Sequence, residues 1–364
     1  MKLIVDIRHM FIEHSGLSRY CFEIATSILK RAHEFESLIF LSNKRSIYQN
    51  NVKYQTLSKL IKQKNNTKLH VVEHLPFKLS GYLLLHRTIN KFSDHAYLYP
   101  HYDSPLFIKN KTFFVVHDLF VLLLGDYVTR FRVVKKLVFY LHLLHSLLFY
   151  NCLTISKSTK RDIKHHYDFM KRKKISVIYS GISNISLSTE IEEINYDYLF
   201  YIGDFRPHKN LKRMIDIFTI LQDQYKYSGK FIIAGNNETF DFDVTNYVKN
   251  NADIIIMGNI SDQSLKTYLF NMQALFFFSK YEGFGLPILE AAHYNKKIIT
   301  TNISAIPEVA PKNSLLLELE DSDLKCAEHI HHYLKKSVHL NNSEHLKKFT
   351  WERAAAEMLK EISS

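Results

Sequence analysis

Short apolar runs alternate with segments of helical periodicity along the whole chain, and this alternation constrains the fold more than any other feature. Five runs lie in the first half, at residues 3–5, 38–41, 112–116, 153–155 and 175–178. Five more lie in the second half, at residues 198–202, 231–233, 254–257, 274–278 and 298–300. Runs of this length between helices are typical of parallel strands that are covered on both faces. The pattern predicts an α/β fold of stacked βαβ units.

The chain is long enough for two domains with ordinary cores, since it has 364 residues. The polar stretch from Ser183 to Asn195 interrupts the alternation, so we place the boundary there. This gives an N-terminal domain over 1–185 and a C-terminal domain over 186–349. In the second domain, apolar residues at helical spacing predict a helix over 210–222 that covers one face of a sheet. Ligands of such sheets bind beyond the carboxyl ends of the strands.

The positive charge is concentrated in the first half. Residues 1–185 carry 29 Lys+Arg against 12 Asp+Glu, a balance of +17, whereas residues 186–364 carry 19 against 24, a balance of −5. A basic surface of this kind suits an anionic membrane or a phosphate-bearing acceptor, although a generic solvated surface is the plain alternative. No zinc-ligand spacing, basic zipper or aromatic RNA-binding signature is present, so a nucleic-acid partner is not expected.

Three cysteines far apart, Cys21, Cys152 and Cys326, favour a reduced cytoplasmic setting. Charges interrupt the N-terminal apolar residues early, so no secretion signal is expected.

The longest apolar stretch, Leu137 to Tyr150, is too short to span a membrane. Four basic residues precede it: Arg130, Arg132, Lys135 and Lys136. Residues 130–150 could rest on a membrane surface. A buried core helix is the favoured interpretation, because the stretch is apolar nearly all round and leads into a strand. The resulting expectation is a cytoplasmic protein, with a peripheral position on the inner face of the membrane as the alternative.

Two of only ten glycines lie within three residues, in the segment Lys280 to Glu290. They follow the apolar run that ends at Phe278 and precede a helix-compatible stretch with Pro287 in its first turn. The backbone amides of residues 283–286 would then lie near the positive end of a helix, which binds anions and oxygen-rich ligands. Glu282 in the loop and Glu290 one turn into the helix could both face one ligand, and a sugar offers hydroxyls to each.

Nine segments in order resemble the retaining glycosyltransferases of family 4, the group 1 glycosyltransferases of GT-B fold, in a mannosyltransferase-like form. They lie at residues 15–20, 116–119, 154–162, 177–181, 201–210, 257–262, 280–290, 298–308 and 349–352. The resemblance implies two Rossmann-like domains whose parallel sheets face across a cleft, with a C-terminal helix over 350–364 that packs back on the first domain. It also implies that the first domain binds the acceptor and the second the nucleotide sugar.

The same resemblance assigns the site residues. His117 would contact the donor sugar near the reacting carbon, with Asp118 orienting the loop, and Glu282 would bind the donor sugar hydroxyls; His117 and Glu282 are the catalytic candidates. The donor-binding candidates are Gly16, Arg206, Lys209, Gly258, Ile260, Gly283, Phe284, Gly285, Leu286 and Glu290.

Glycosyl transfer from a nucleotide sugar develops negative charge on the departing diphosphate, which fixed cations stabilise. Arg206 and Lys209, in the loop after a predicted strand, are suited to that task. Many relatives carry arginine directly after the glycine of this loop, where this chain has Asp204, and Arg206 is the candidate substitute.

No metal cofactor is expected. Asp241 and Asp243 match an Asp-x-Asp pattern, but a helix-leading acidic pair is the simpler interpretation. The histidines at 329, 331 and 332 stand among lysines in a helical setting, which favours a solvated face over a metal site.

The implied reaction is retaining transfer by a front-face route to a saccharide or polyprenyl-linked acceptor, in surface polysaccharide or lipopolysaccharide synthesis. GDP-mannose is the first candidate donor and a UDP-sugar the second. Two alternatives remain: a GT-B nucleotide-sugar epimerase and a non-catalytic GT-B binding protein.

Overall fold

The computed structural model describes residues 1–11, 16–44, 48, 51–76, 78–123, 132–183, 191–235, 243–337 and 340–364, without the side chains of residues 11, 79 and 132–135. The chain divides into two compact units. The first is Met1–Ser183 with Phe349–Ser364, and the second is Asn184–Lys348.

The first unit contains a seven-stranded parallel sheet in the order β3-β2-β1-β4-β5-β6-β7. Its strands are β1 (Lys2–Asp6), β2 (Ser37–Asn43), β3 (Thr67–Val72), β4 (Ala96–Tyr99), β5 (Thr112–Val116), β6 (Asn151–Thr154) and β7 (Ser176–Val177). Its helices are α1 (Gly16–Lys30), α2 (Val52–Lys62), α3 (Leu79–Leu83), α4 (His86–Ile89), α5 (Phe120–Leu123), α6 (Arg132–Phe149) and α7 (Lys157–His166). The strand order reverses between β1 and β4, so the loops after these two strands leave the sheet at a topological switch point.

The second unit contains a six-stranded parallel sheet in the order β10-β9-β8-β11-β12-β13. Its strands are β8 (Tyr198–Ile202), β9 (Lys230–Ala234), β10 (Ile254–Gly258), β11 (Ala274–Phe277), β12 (Lys297–Thr301) and β13 (Leu315–Leu317). Its helices are α8 (Leu211–Tyr225), α9 (Val244–Val248), α10 (Asp262–Asn271), α11 (Leu286–His293), α12 (Ile306–Val309), α13 (Asp323–Lys335) and α14 (Ser343–Leu346). Here the switch point lies between β8 and β11.

The ten predicted strands are all present, and all of them except β7 and β10 are runs of mostly buried residues in sheets covered on both faces. The helix expected over 210–222 is α8, which buries Met214, Phe218 and Leu221. Three strands were not predicted, namely β3, β4 and β13. β3 includes Lys68 and His70 and is largely half-exposed at the edge of its sheet, which removes the apolar signal.

The final helix α15 (Trp351–Ser363) belongs to the first unit. Its N-cap Thr350 accepts the N–H of Arg353 and forms an isolated parallel bridge with Ile182. The Trp351 ring is buried and lies edge-on to Tyr20 of α1, with 5.5 Å between ring centroids. The chain therefore ends on the same core in which it begins.

Helix α6 differs from the buried core helix that was favoured from sequence. Its inner face buries Phe139, Leu143 and Leu147, but Leu141 and Phe149 on the opposite side are exposed. The helix lies on the surface of its unit, so only one side of it meets the core. Arg130 and the side chains of Arg132 and Lys135 fall outside the described residues. Among the residues that the structure describes, no helix is long and apolar enough to cross a membrane.

The loops after β8, β9 and β10 are packed backbone against backbone. Gly235 has φ +142°, and a Cβ built on it would lie 1.6 Å from the carbonyl oxygen of Gly203. The Gly235 N–H donates to the carbonyl oxygen of Gly258 at 2.7 Å. Glycine at position 235 therefore sets the spacing of three loops at the carboxyl edge of the second sheet.

We expect Gly235→Ala to lower the free energy of unfolding by at least about 3 kcal/mol, because the new methyl group meets backbone and the φ angle is unfavourable. Gly258→Ala is the matched control. Gly258 has φ +62° with nothing within 4 Å of its Cβ position. That variant should lose only about 1–2 kcal/mol. Urea unfolding measures the free energy of unfolding of both variants. Equal losses in Gly235→Ala and Gly258→Ala would contradict the packing described.

Candidate functional site

The candidate site lies at the carboxyl edge of the second sheet, where β8 and β11 are neighbours. The loop after β8 includes a 3₁₀ turn, Pro207–Lys209, and the loop after β11 runs from Phe278 to Gly285. The loops that follow adjacent parallel strands leave the sheet at the same carboxyl edge. α/β sheets bind their ligands at that edge.

Lys209 and Glu282 form an ion pair between these two loops. The Lys209 Nζ lies 2.6 Å from Glu282 Oε1, and the two side chains are only 12% and 10% exposed. The ammonium group also lies 5.4 Å from the centroid of the Phe277 ring. Removal from bulk water strengthens the attraction between these charges. The parallel pairing of β8 with β11 thus brings together two residues that are 73 positions apart in the chain and that the sequence analysis assigned to phosphate and sugar.

Strand β12 holds the Glu282 loop in place. The backbone N–H of Glu282 donates to Ser304 Oγ at 2.9 Å. Thr301 Oγ1 donates to the carbonyl oxygen of Ser279 at 2.8 Å, and Thr300 Oγ1 donates to that of Phe277 at 2.7 Å. These bonds fix the end of β11, so the Glu282 carboxylate is presented from a rigid edge.

Helix α11 begins directly after the paired glycines. Gly285 is its N-cap with φ +107°, and Leu286 and Pro287 form its first turn. A glycine cap has no side chain to occupy the first-turn N–H groups, which suits an anionic or oxygen-rich ligand. Gly283 and Leu286 are half-buried, whereas Phe284 is buried.

Glu290 lies one turn into α11 and is only 3% exposed. Burial raises the pKa of Tyr294, and the nearby Glu290 charge adds to that rise. Glu290 is therefore a buried carboxylate of the second unit.

Arg206 pairs with Asp204, the residue at the position where the resemblance implies an arginine. Its Nε and Nη2 lie 2.8 Å and 2.6 Å from Asp204 Oδ2. Burial disfavours the charged form of Asp204, but the hydrogen bond from Arg206 and the charge of Lys209 outweigh it and lower the Asp204 pKa. Arg206 would have to share or exchange this partner in order to bind a phosphate.

Gly258 ends β10, and Ile260 follows it, half-buried. Apart from Gly258, the last residue of β10, the predicted donor-binding residues of the second unit lie in the loops after β8, β10 and β11 or in α11. Asp243 accepts the N–H of Asn246 and caps α9, while Asp241 falls outside the described residues.

In the first unit, His117 follows β5, and two contacts of its ring fix its position. Its Nε2 donates to the carbonyl oxygen of Pro100 at 2.7 Å, and its ring lies edge-on to Tyr20 at 4.6 Å. Burial, with the neighbouring His101, lowers the pKa of His117 to about 3, so the ring is neutral near pH 7. Asp118 Oδ1 accepts the N–H of Phe120 and begins α5. Gly16 begins α1, is exposed, and has nothing within 4 Å of its Cβ position.

A buried polar network at the first switch point was not anticipated. Asp103 Oδ1 accepts hydrogen bonds from His101 Nδ1 at 2.5 Å and from Tyr99 at 3.1 Å, and it lies 3.3 Å from His9 Nε2. His9 follows β1, and His101 and Asp103 follow β4. No local motif marks these residues; only the pairing of β1 with β4 joins them.

Among the described residues, His9, His101 and Asp103 are the group whose potential metal-ligand atoms converge, all within 4.8 Å of one another. Within the described ranges, the α13 histidines at 329, 331 and 332 form no such group. Asp103 already accepts hydrogen bonds from His101 and Tyr99, so the chain itself satisfies this carboxylate.

The His117 pKa predicts a pH dependence of stability. The unfolded chain takes up a proton near pH 6.5, whereas folded His117 does so only near pH 3, so stability falls as the pH drops between these values. We expect His117→Gln to reduce the stability lost between pH 7 and pH 5 by about 2 kcal/mol. His33→Gln, at an exposed histidine of the same unit, is the control. Identical slopes for wild type and His117→Gln in urea unfolding would contradict a neutral buried ring.

The chain is similar to known glycosyltransferases in sequence. Residues 188–350 match the family described as glycosyl transferases group 1. An O-antigen chain mannosyltransferase, RfbU of Salmonella typhimurium, is 24% identical over 88% of this chain and 87% of its own length. An uncharacterized glycosyltransferase of Methanocaldococcus jannaschii is 28% identical, but the match spans only 54% of that relative and 52% of this chain.

The fold is also that of known glycosyltransferases. The structure of Anabaena HepE in complex with UDP and glucose matches over the full length of both chains, with a TM-score of 0.62 and 13% identity. The predicted fold class, GT-B with Rossmann-like parallel-sheet units, is confirmed. The predicted family is also confirmed, for the range that the match covers. Residues 188–350 are a domain of the group 1 glycosyl transferases.

Proposed function

We propose that this chain is a retaining glycosyltransferase that moves a sugar from a nucleotide-sugar donor to a saccharide or polyprenyl-linked acceptor. The observation that carries the proposal is the Lys209–Glu282 pair at the β8–β11 switch point. A nucleotide sugar offers phosphate oxygens next to sugar hydroxyls. An ammonium group binds phosphate oxygens, and a carboxylate beside it accepts hydrogen bonds from sugar hydroxyls, so the pair matches this arrangement.

In this proposal Lys209 binds the diphosphate, with Arg206 as an auxiliary cation. The amides around Gly283 and Gly285 at the start of α11 add a positive field. Together they stabilise the charge that develops on the leaving group, and no metal ion is required for this. Phe284 and Leu286 complete the wall of this loop.

Glu282 accepts hydrogen bonds from the donor sugar, and Glu290 from the ribose. Gly258 and Ile260 lie where the base would contact backbone. For Gly16 and His117 of the first unit, the proposal keeps the donor-sugar role that the resemblance implies. The neutral His117 ring, whose Nε2 donates to Pro100, presents Nδ1 as an acceptor for a hydroxyl group.

We propose the front-face route. The bond between the anomeric carbon and the phosphate oxygen breaks on the face where the acceptor oxygen forms its new bond, and the acceptor proton passes to the leaving phosphate. A double displacement would instead need a free carboxylate nucleophile under the anomeric carbon. The ion pair with Lys209 supports the front-face route, since it lowers the nucleophilicity of Glu282.

GDP-mannose is the first candidate donor, because the relative that matches over most of its length is an O-antigen chain mannosyltransferase. A UDP-sugar is the second candidate, because HepE holds UDP. The proposed role is in surface polysaccharide or lipopolysaccharide synthesis, in the cytoplasm at the inner face of the membrane.

Hydrolysis and transfer should be measured with the full chain on a panel of GDP-mannose, UDP-glucose, UDP-galactose and UDP-N-acetylglucosamine, with and without a lipid-linked acceptor extract. We expect turnover of one donor, with the anomeric configuration retained and no loss on adding EDTA. Glu282→Ala and Lys209→Ala should each lower kcat about 100-fold or more, since each removes a charge from the reacting centre.

Lys212→Ala is the matched control, because Lys212 lies three residues beyond Lys209 and pairs with Asp216 on the exposed face of α8. Its rate should stay within about twofold of wild type. Full activity of Glu282→Ala would contradict the proposal. Conversion of UDP-N-acetylglucosamine to its epimer without acceptor would establish the epimerase instead, and no turnover of any donor would favour a binding protein.

A further inference from the structure

The outer face of α6 exposes a row of apolar side chains. Its exposed residues recur at helical spacing, and we call them the α6 face: Leu137, Val138, Leu141, Leu148 and Phe149. At about 100° per residue they cover an arc of roughly 120°, opposite the buried face of the helix. The helix carries no Asp, Glu, Lys or Arg from residue 137 to its end at Phe149. An exposed helix face of this kind is unusual in a soluble domain, which normally places charges there.

The apolar surface continues onto a strained turn. Phe107 is 61% exposed and has φ +62°, a conformation that is unfavourable for a bulky aromatic residue. Its ring lies 6.3 Å from that of His145, which in turn lies 4.9 Å from the ring of Phe149. The turn is fixed because the Ile108 N–H donates to Tyr150 just beyond the end of α6. The strained turn therefore places an exposed phenylalanine beside the α6 face.

Basic residues flank this surface at the C-terminal end of α6. Lys173 Nζ donates to the carbonyl oxygens of Leu147 and Leu148, both at 3.1 Å. Lys171, Arg172 and Lys174 beside it are exposed. Lys171 pairs with Asp168 and Lys174 with Glu361, so this turn keeps a net positive charge. Apolar side chains bordered by cations match the interface of an anionic bilayer, where tails and headgroups lie side by side.

We propose that the α6 face with Phe107 docks the protein on an anionic lipid surface. The apolar side chains enter the interface and the basic turn meets the headgroups. A second copy of the chain is the competing occupant. The net positive charge of the basic turn favours an anionic lipid surface over a second copy, which carries the same charge. The proposal specifies which face would serve the peripheral location proposed above, but its test needs no donor or acceptor.

Binding is measured by co-sedimentation of the full chain with phosphatidylcholine vesicles that contain 30% phosphatidylglycerol or none, as a rough model of an anionic surface. We expect binding to the anionic vesicles only. The double variant L141E/F149E should reduce the partition coefficient roughly tenfold or more, and Arg172→Glu should reduce it several-fold. Leu324→Glu is the matched control, since Leu324 is 46% exposed on α13 of the second unit.

A fluorescence measurement tests insertion in a chain that keeps its own fold. The protein has one tryptophan, Trp351, and it is buried. Phe149→Trp therefore adds a reporter whose emission should shift to the blue on anionic vesicles, whereas that of Leu324→Trp should not shift.

Absence of binding by the wild type, or equal binding of L141E/F149E, would overturn the proposal. So would a wild-type dimer in light scattering that L141E/F149E separates. Vesicle binding without turnover of any donor would leave the docking surface standing and remove the enzymatic proposal, so the two failures are distinguishable.

Discussion

The ion pair between Lys209 and Glu282 joins the two loops on which the candidate site depends. Each partner stands on a loop that leaves the second sheet at its switch point, and each is nearly shielded from water. A charge in that position is stable only if it is compensated. Without a ligand each partner compensates the other. A nucleotide sugar would take over part of that role, with phosphate beside the ammonium and hydroxyl groups beside the carboxylate.

The surrounding structure keeps this pair at the edge of the sheet. Ser304 and Thr301 hold the Glu282 loop from the next strand, and Gly235 lets the neighbouring loops approach with backbone against backbone. Gly285 supplies the left-handed cap from which α11 begins. Backbone hydrogen bonds and glycine conformations therefore define the site as much as charged side chains do, which accounts for the concentration of scarce glycines in these loops.

Sequence reasoning predicted the central strands because they are buried on both faces, and it predicted the Glu282 and Lys209 loops because they follow such strands. It missed β3, whose edge position exposes Lys68 and His70, and the short strands β4 and β13. Without β4, nothing in the sequence joined His9 to His101 and Asp103, which meet only through the order of strands. The exposed side of α6 departs from the favoured interpretation of a buried core helix, since apolar composition alone does not distinguish a buried helix from one with an exposed apolar face.

Calorimetric titration with UDP and with GDP tests the central claim most directly, because it measures the diphosphate contact without the chemistry. Lys209→Met should weaken binding of the preferred nucleotide roughly 10- to 100-fold, since it removes a charge-assisted hydrogen bond and leaves Glu282 uncompensated. Lys212→Met should bind as the wild type does. Equal affinity of Lys209→Met and the wild type for both nucleotides would contradict the account.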